Sequence, residues 1–266
     1  QSLVHDGETR QYVLYVPATY DGSESYPVML NFHANGDTAQ GHFNFVDMTD
    51  LADMHRFILV YPQGLPLEGD SPSHWNFDLA GGDSKSTVDD FGFFETLIDE
   101  LSNDYQIDTS RVYAAGFSNG AAFAFGLACY KSEKIAAIVS VSGSMSPGHG
   151  ENCNPQHPMP VMTIHGTQDS SFPYQGGYYL GMSDVTDYWT LYNETQTTLP
   201  TETVTDTKDN LIVEKFSYTQ GNNGSKVDHF KINGGYHTWF DLDFNGDSTE
   251  ELIWNFVSSF DVNGAR

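Results

Sequence analysis

The sequence predicts an α/β protein built on a mostly parallel, doubly wound sheet with helices on both faces. Three observations predict it. Short apolar runs at 12–16, 27–32, 57–61, 112–117, 136–141 and 161–164 read as strands, and the later ones carry no polar face, as parallel strands covered on both sides do. Between them lie helical patterns at 48–55, 90–103, 119–130, 184–194 and 249–260, and that alternation is the mark of helical crossovers. The run ending at Ala115 passes directly through Gly116-Phe117-Ser118-Asn119-Gly120 into an Ala-, Phe- and Leu-rich stretch, which reads strand, tight turn, helix.

Taken in order, the first two strands flank Asp21-Gly22-Ser23-Glu24-Ser25, a turn cluster too short for a crossover, so they are expected to be antiparallel. Residues 63–86 break the alternation. They are rich in Gly, Pro, Ser and Asp around an aromatic island, His74-Trp75-Asn76-Phe77, and long irregular segments of this kind are often functional. Residues 195–210 are polar and Thr-rich and read as a surface connection. No repeat or linker divides the chain, so residues 1–266 are expected to form one domain.

Composition narrows the partners. With 36 Asp and Glu against 11 Lys and Arg, the formal charge is −25, which repels phosphate backbones and anionic headgroups and excludes nucleic acid as a partner. Such a surface serves solubility, and it also suits a saline or cold habitat. No stretch approaches the roughly 20 apolar residues of a membrane span. The chain opens on Gln1-Ser2-Leu3, with no basic or apolar leader, and reads as a mature or trimmed chain. Cys129 and Cys153 are the only cysteines; they read either as two buried thiols or as a bridge tying the Gly-, Asn- and Pro-rich loop 148–155 to the helix after the turn.

The strand-turn-helix at 116–120 is the context of a nucleophile elbow. A strand reversing straight into a helix leaves no room for β-carbons at the flanking glycines and strains the serine between them, which holds Ser118 Oγ over the end of the sheet. A serine needs a base. His237, in the glycine-flanked loop Gly234-Gly235-Tyr236-His237 before the last helix, stands where the base belongs in the chain order serine, acid, histidine. The acid should follow a buried strand, and Asp169 lies just past 161–164; Asp184 and Asp187 are fallbacks that read better as the first turns of a helix. An oxyanion hole in this order uses the amide after the nucleophile, Asn119, and one from the loop after the third strand, Asn35 or its neighbour Ala34.

The order of HANG, WNF, VDDFGFFETLIDELSNDYQIDTSRVYAAGFSNG, HGTQDSSFPYQGG and GGYHTW, from about residue 10 to 260, resembles the polyhydroxybutyrate-depolymerase-like esterases. These overlap carbohydrate esterase family 1, with its feruloyl and acetylxylan esterases. The resemblance implies a secreted or periplasmic α/β-hydrolase with Ser118, Asp169 and His237 as its triad, a bridge between Cys129 and Cys153, and no cofactor or metal. Two departures stand out: His33-Ala34 replaces the usual His-Gly, and Ala121 replaces the second glycine after the elbow. Feruloyl or acetyl esters of polysaccharide are the expected substrates, short polyesters the next choice, with peptidase activity or a non-catalytic binding role behind them. Trp75 and Asn76 match the family's aromatic element and are expected to touch substrate, although Trp75 reads equally as a ring that packs its loop; Asp89 and Asp90, which also match, read as a helix cap and a loop anchor. The segment 241–251 has oxygen ligands at alternate positions like a calcium loop, but Leu252 stands where the final glutamate belongs, and Ser248 reads equally as a helix cap.

Overall fold

The computed structural model describes residues 1–67, 72–79, 86–196 and 202–266. Ten strands form one sheet: β1 (Ser2–His5), β2 (Glu8–Tyr15), β3 (Tyr26–Phe32), β4 (Ile58–Pro62), β5 (Ile107–Phe117), β6 (Ala137–Val141), β7 (Val161–Gly166), β8 (Glu202–Thr205), β9 (Ile212–Tyr218) and β10 (Val227–Asn233). Their spatial order is β1-β2-β4-β3-β5-β6-β7-β10-β9-β8. The central six, from β4 to β10, run parallel, and antiparallel strands close both edges.

Period-two alternation splits the strands between two cores. Val28, Leu30 and Phe32 of β3 face one cluster with Val112 and Ala114 of β5, while Met29, Tyr113 and Ala115 face the other. Helices α3 (Asp90–Asp104), α4 (Asn119–Tyr130) and α6 (Met182–Tyr192) cover the first face; α1 (Ala39–Phe45), α2 (Thr49–His55) and α7 (Thr249–Val257) cover the second. A short α5 (Pro147–Asn152) lies beyond β6. Buried on both faces, the central strands can afford the near-continuous apolar runs seen in the sequence.

Two expectations need correction. Part of the stretch 195–210 is sheet, since β8 pairs antiparallel with β9 and Gln196 bridges Thr219; residues 197–201 lie outside the described set. Helix α7 stops at Val257, and Phe260–Asp261 pairs with Gly264–Ala265 instead. The acidic loop 241–251 scatters its carboxylates: Asp241 pairs with Lys208, Asp243 accepts from Thr207 and Gly246, Glu250 accepts from Trp239, and Glu251 completes a capping box with Ser248. Those oxygens serve turns and a helix start rather than a common centre.

Asp89 caps α3 by accepting from Gly92 N at 2.8 Å, and Asp90 anchors the aromatic island, as expected. Buried Asp90 accepts Arg10 Nη2 at 2.6 Å on one oxygen and Asn76 N at 2.8 Å on the other. Burial pushes its pKa up, and the Arg10 charge pulls it back.

Cys129 and Cys153 are bonded, with Cα atoms 4.4 Å apart across 24 residues of sequence. The bridge joins the end of α4 to the residue after α5. In the chain-entropy view a loop of this length adds roughly 3 kcal/mol. Alkylation of the native protein should therefore label no thiol, and reduction should lower Tm by about 6 to 12 °C at this chain size. Two alkylatable thiols before reduction would contradict the bridge.

Candidate active site

Strand β5 ends at Phe117 and α4 begins at Asn119, so Ser118 is the whole turn between them. It sits at φ 57°, ψ −116°, a conformation costly for any residue with a β-carbon. Close backbone approach forces the strain: a β-carbon on Gly116 would strike the carbonyl of Gly120, and one on Gly120 would strike those of Phe32 and His33. Ser118 N also donates to Val141 O at 3.0 Å, tying the turn to the end of β6.

The loops after β7 and β10 bring the other two groups to that turn. Thr167 N donates to Ile232 O, Gln168 N to Gly235 O, and Gly234 N to Thr167 Oγ1, so the two loops are knitted together. Ser142 Oγ donates to Thr238 O at 2.7 Å, fastening the second loop to the end of β6. As a result His237 Nε2 lies 2.9 Å from Ser118 Oγ, and His237 Nδ1 lies 2.8 Å from Asp169 Oδ2.

The chain of contacts fixes its own polarity. Asp169 Oδ1 accepts the amides of Ser171 and Phe172, each at 2.8 Å, which leaves Oδ2 to accept Nδ1–H of His237. Nε2 then carries the lone pair that faces Ser118. Burial pushes the Asp169 carboxyl up, but its hydrogen bonds from His237 and Phe172 outweigh this and hold it below the usual range. It therefore remains an anion able to balance an imidazolium. His165, 3.4 Å from Asp169 Oδ2, is kept neutral by burial and donates to Phe172 O at 2.8 Å. Chemically, such a relay can take the hydroxyl proton as the oxygen attacks.

The residues expected to supply oxyanion donors lie on the two segments that flank the elbow. Among the described residues, the amides of Ala34, Asn35 and Asn119 donate to no protein acceptor. The turn after β3 is held by His33, which is buried: its Nε2 accepts Gly64 N at 2.9 Å, so Nδ1–H donates to Ala34 O at 2.7 Å. Burial pulls the His33 pKa down and keeps that tautomer neutral.

Trp75 and Asn76 are corrected. The indole is 0 % exposed, stacked on Phe123 with centroids 5.2 Å apart and edge-on to Phe32, and it donates to His33 O at 3.2 Å. Asn76, 4 % exposed, spends its amide on Ser86 Oγ and Val88 O. Neither presents surface to a substrate. Their work is positional: the side chain of Asn119 accepts Trp75 N at 2.8 Å and donates to Trp75 O at 3.0 Å, clamping the aromatic island to the elbow helix. Asp184 and Asp187 are exposed on α6 and take no part in the site.

Two rings were not anticipated. Phe117 stacks on His237 at 5.3 Å and Phe172 at 6.0 Å, so the imidazole is held by aromatic faces as well as by hydrogen bonds. Their only sequence signal is adjacency, since Phe117 precedes the serine and Phe172 lies three residues past the acid.

The profile of the phospholipase/carboxylesterase family matches residues 21–200. The chain belongs to this family. This carboxylesterase-family chain is 27 % identical over 260 residues to a bifunctional acetylxylan esterase/xylanase of Neocallimastix patriciarum, covering 97 % of this chain and 34 % of that protein. It is 24 % identical over 274 residues to feruloyl esterase B of Piromyces equi, covering 95 % and 46 %. It thus spans about a third to a half of these relatives. An acetyl xylan esterase from Aspergillus awamori superposes with TM-score 0.65 at 15 % identity, covering 93 % of each chain. A feruloyl esterase module from Clostridium thermocellum complexed with sinapinate superposes with TM-score 0.61 at 13 % identity, covering 98 % of this chain and 86 % of that one. At such identities the superpositions speak to fold, and the fold of this carboxylesterase-family chain is that of the α/β-hydrolases.

Proposed function

We propose that residues 1–266 form one catalytic domain that hydrolyses carboxylic esters through an acyl-enzyme, with acetyl or feruloyl groups on polysaccharide as the substrates. The observation that carries the reading is the run of contacts from Ser118 Oγ through His237 to Asp169, at 2.9 and 2.8 Å, on a strained strand-to-helix turn. The names of the relatives support the ester class and the polysaccharide context.

Ser118 Oγ attacks the ester carbonyl carbon as His237 Nε2 takes its proton. Asn119 N and Asn35 N, with Ala34 N beside it, stabilise the oxyanion of the tetrahedral intermediate. Collapse breaks the ester C–O bond, and the imidazolium returns the proton to the departing alcohol. Water then adds to the acyl-enzyme with His237 again as base, releasing the acid and restoring Ser118. Asp169 holds Nδ1–H in place and offsets the imidazolium charge. No step in this scheme calls on a cofactor or metal.

The bridge between Cys129 and Cys153 supports an oxidising compartment, so the reading is of a secreted or periplasmic enzyme. Among the described residues no helix is long and apolar enough to cross a membrane.

The test is a panel of p-nitrophenyl acetate, acetylated xylan, methyl ferulate and a hydroxybutyrate trimer. Release of acetate from xylan or ferulate from its methyl ester is the expected result. Activity confined to the hydroxybutyrate trimer would move the reading to a polyester hydrolase, and turnover of none would overturn ester hydrolysis.

A further inference from the structure

The segment Ser73–Trp75 is tied at once to the turn after β3 and to the start of α4, the two places where the oxyanion donors lie. On the first side Gly36 N donates to Ser73 O at 2.8 Å, Ser73 Oγ donates to Asp37 O, and the Trp75 indole donates to His33 O at 3.2 Å. On the second side the Asn119 side chain grips the backbone of Trp75 through both its oxygen and its nitrogen. Buried His74 stands between the two: its Nδ1 lies 3.2 Å from Asn35 Oδ1, and its Nε2 lies 3.5 Å from Asn119 Nδ2.

The polarity of these contacts is forced. Trp75 N can only donate, so Asn119 turns Oδ1 toward it and Nδ2 toward Trp75 O and His74. Nε2 of His74 must then accept, which puts the ring proton on Nδ1, where it donates to Asn35 Oδ1. One tautomer of the neutral ring thus satisfies both asparagines.

We propose that His74 is a positioning residue that holds the backbone amides of Asn35 and Asn119 at the spacing an oxyanion needs. This rests on the reading of the site as a serine esterase with those donors. Oxyanion donors are effective only where their geometry is fixed before the reaction, and a misplacement near 1 Å costs about 10²-fold in rate. The two amides come from separate loops, and His74 is the side chain that contacts a side chain from each. Its ring is buried, so it acts through the asparagines rather than on the substrate.

The test is steady-state hydrolysis of p-nitrophenyl acetate by the whole chain, together with inhibition by an alkyl trifluoromethyl ketone. The ketone carbon forms a C–O bond with Ser118 Oγ, whose proton passes to His237, and leaves an oxyanion where that of the ester would form. His74→Leu should lower kcat by about ten- to a hundredfold with KM within about twofold, and should weaken the ketone by the same factor as kcat/KM falls. His74→Gln, whose carboxamide can accept from Asn119 and donate to Asn35, should recover most of the loss. Asn35→Ala removes an exposed side chain, keeps the backbone amide and tests the same bridge whether or not the His74 variants fold. It should lower kcat in the same way, and adding it to His74→Leu should cost no more than about twofold further, because the contact between them is already gone. Wild-type kcat in His74→Leu or in Asn35→Ala, a loss confined to KM, or losses that add in the double variant would overturn the proposal. Failure of the esterase reading would show separately, as wild-type protein that neither turns over the ester nor binds the ketone.

Discussion

Ser118→Ala is expected to lower kcat by on the order of 10⁶ while leaving the fold in place. Alanine offers no nucleophile, and the activity left would be that of the oxyanion donors and of substrate binding alone. The fold should survive because the strain at this turn is imposed by the backbone: Gly116 and Gly120 are pressed against carbonyl oxygens whichever side chain lies between them. Ser118 Oγ caps no helix and its partner is His237, so the loss to stability is one part-exposed hydrogen bond, about 1 kcal/mol, and a Tm change within about 4 °C. Steady-state hydrolysis of p-nitrophenyl acetate and a thermal melt on the same sample check both halves. Near-wild-type turnover would remove Ser118 from the chemistry.

Asp169→Asn should lower kcat by about 10⁴ with little change in KM. The amides of Ser171 and Phe172 both donate to the Oδ1 position, so an asparagine keeps its oxygen there and turns its NH₂ toward His237. That NH₂ donates to Nδ1, which moves the imidazole proton to Nε2. The ring then presents a hydrogen to Ser118 where it needs a lone pair. Asp184→Asn and Asp187→Asn, on the exposed face of α6, should stay within a few-fold of wild type. If either of those is the inactive variant, the acid has been misassigned.

These residues were legible in the sequence for a physical reason. An elbow needs glycines at fixed positions, a strand before and a helix after, and all three leave local marks. Asp169 and His237 were legible through chain order, because Asp169 follows the buried apolar run of β7 and His237 stands in a glycine-flanked loop after the β-prone run 227–232. Trp75 was misread because an indole in an irregular, polar segment has the same sequence signature whether it lines a cleft or plugs a core; only the packing of Phe32 and Phe123 around it decides. Strand β8, mostly exposed at the sheet edge, was left as connection, and β9 was missed because it carries Glu214 and Lys215 and buries only Val213, so neither shows an apolar alternation. The rings on His237 were invisible for a third reason: stacking is a relation between loops far apart in the chain, and composition carries no trace of it.

The activation of Ser118 by His237 is the centre of the account, and a fluorophosphonate probe reads it directly. An activated serine attacks phosphorus, whereas an ordinary surface hydroxyl does not. The account predicts stoichiometric labelling mapped by peptide mass spectrometry to Ser118 alone, lost in Ser118→Ala and slowed greatly in Asp169→Asn. Native protein that takes up no label, or takes it up at another serine, would contradict it.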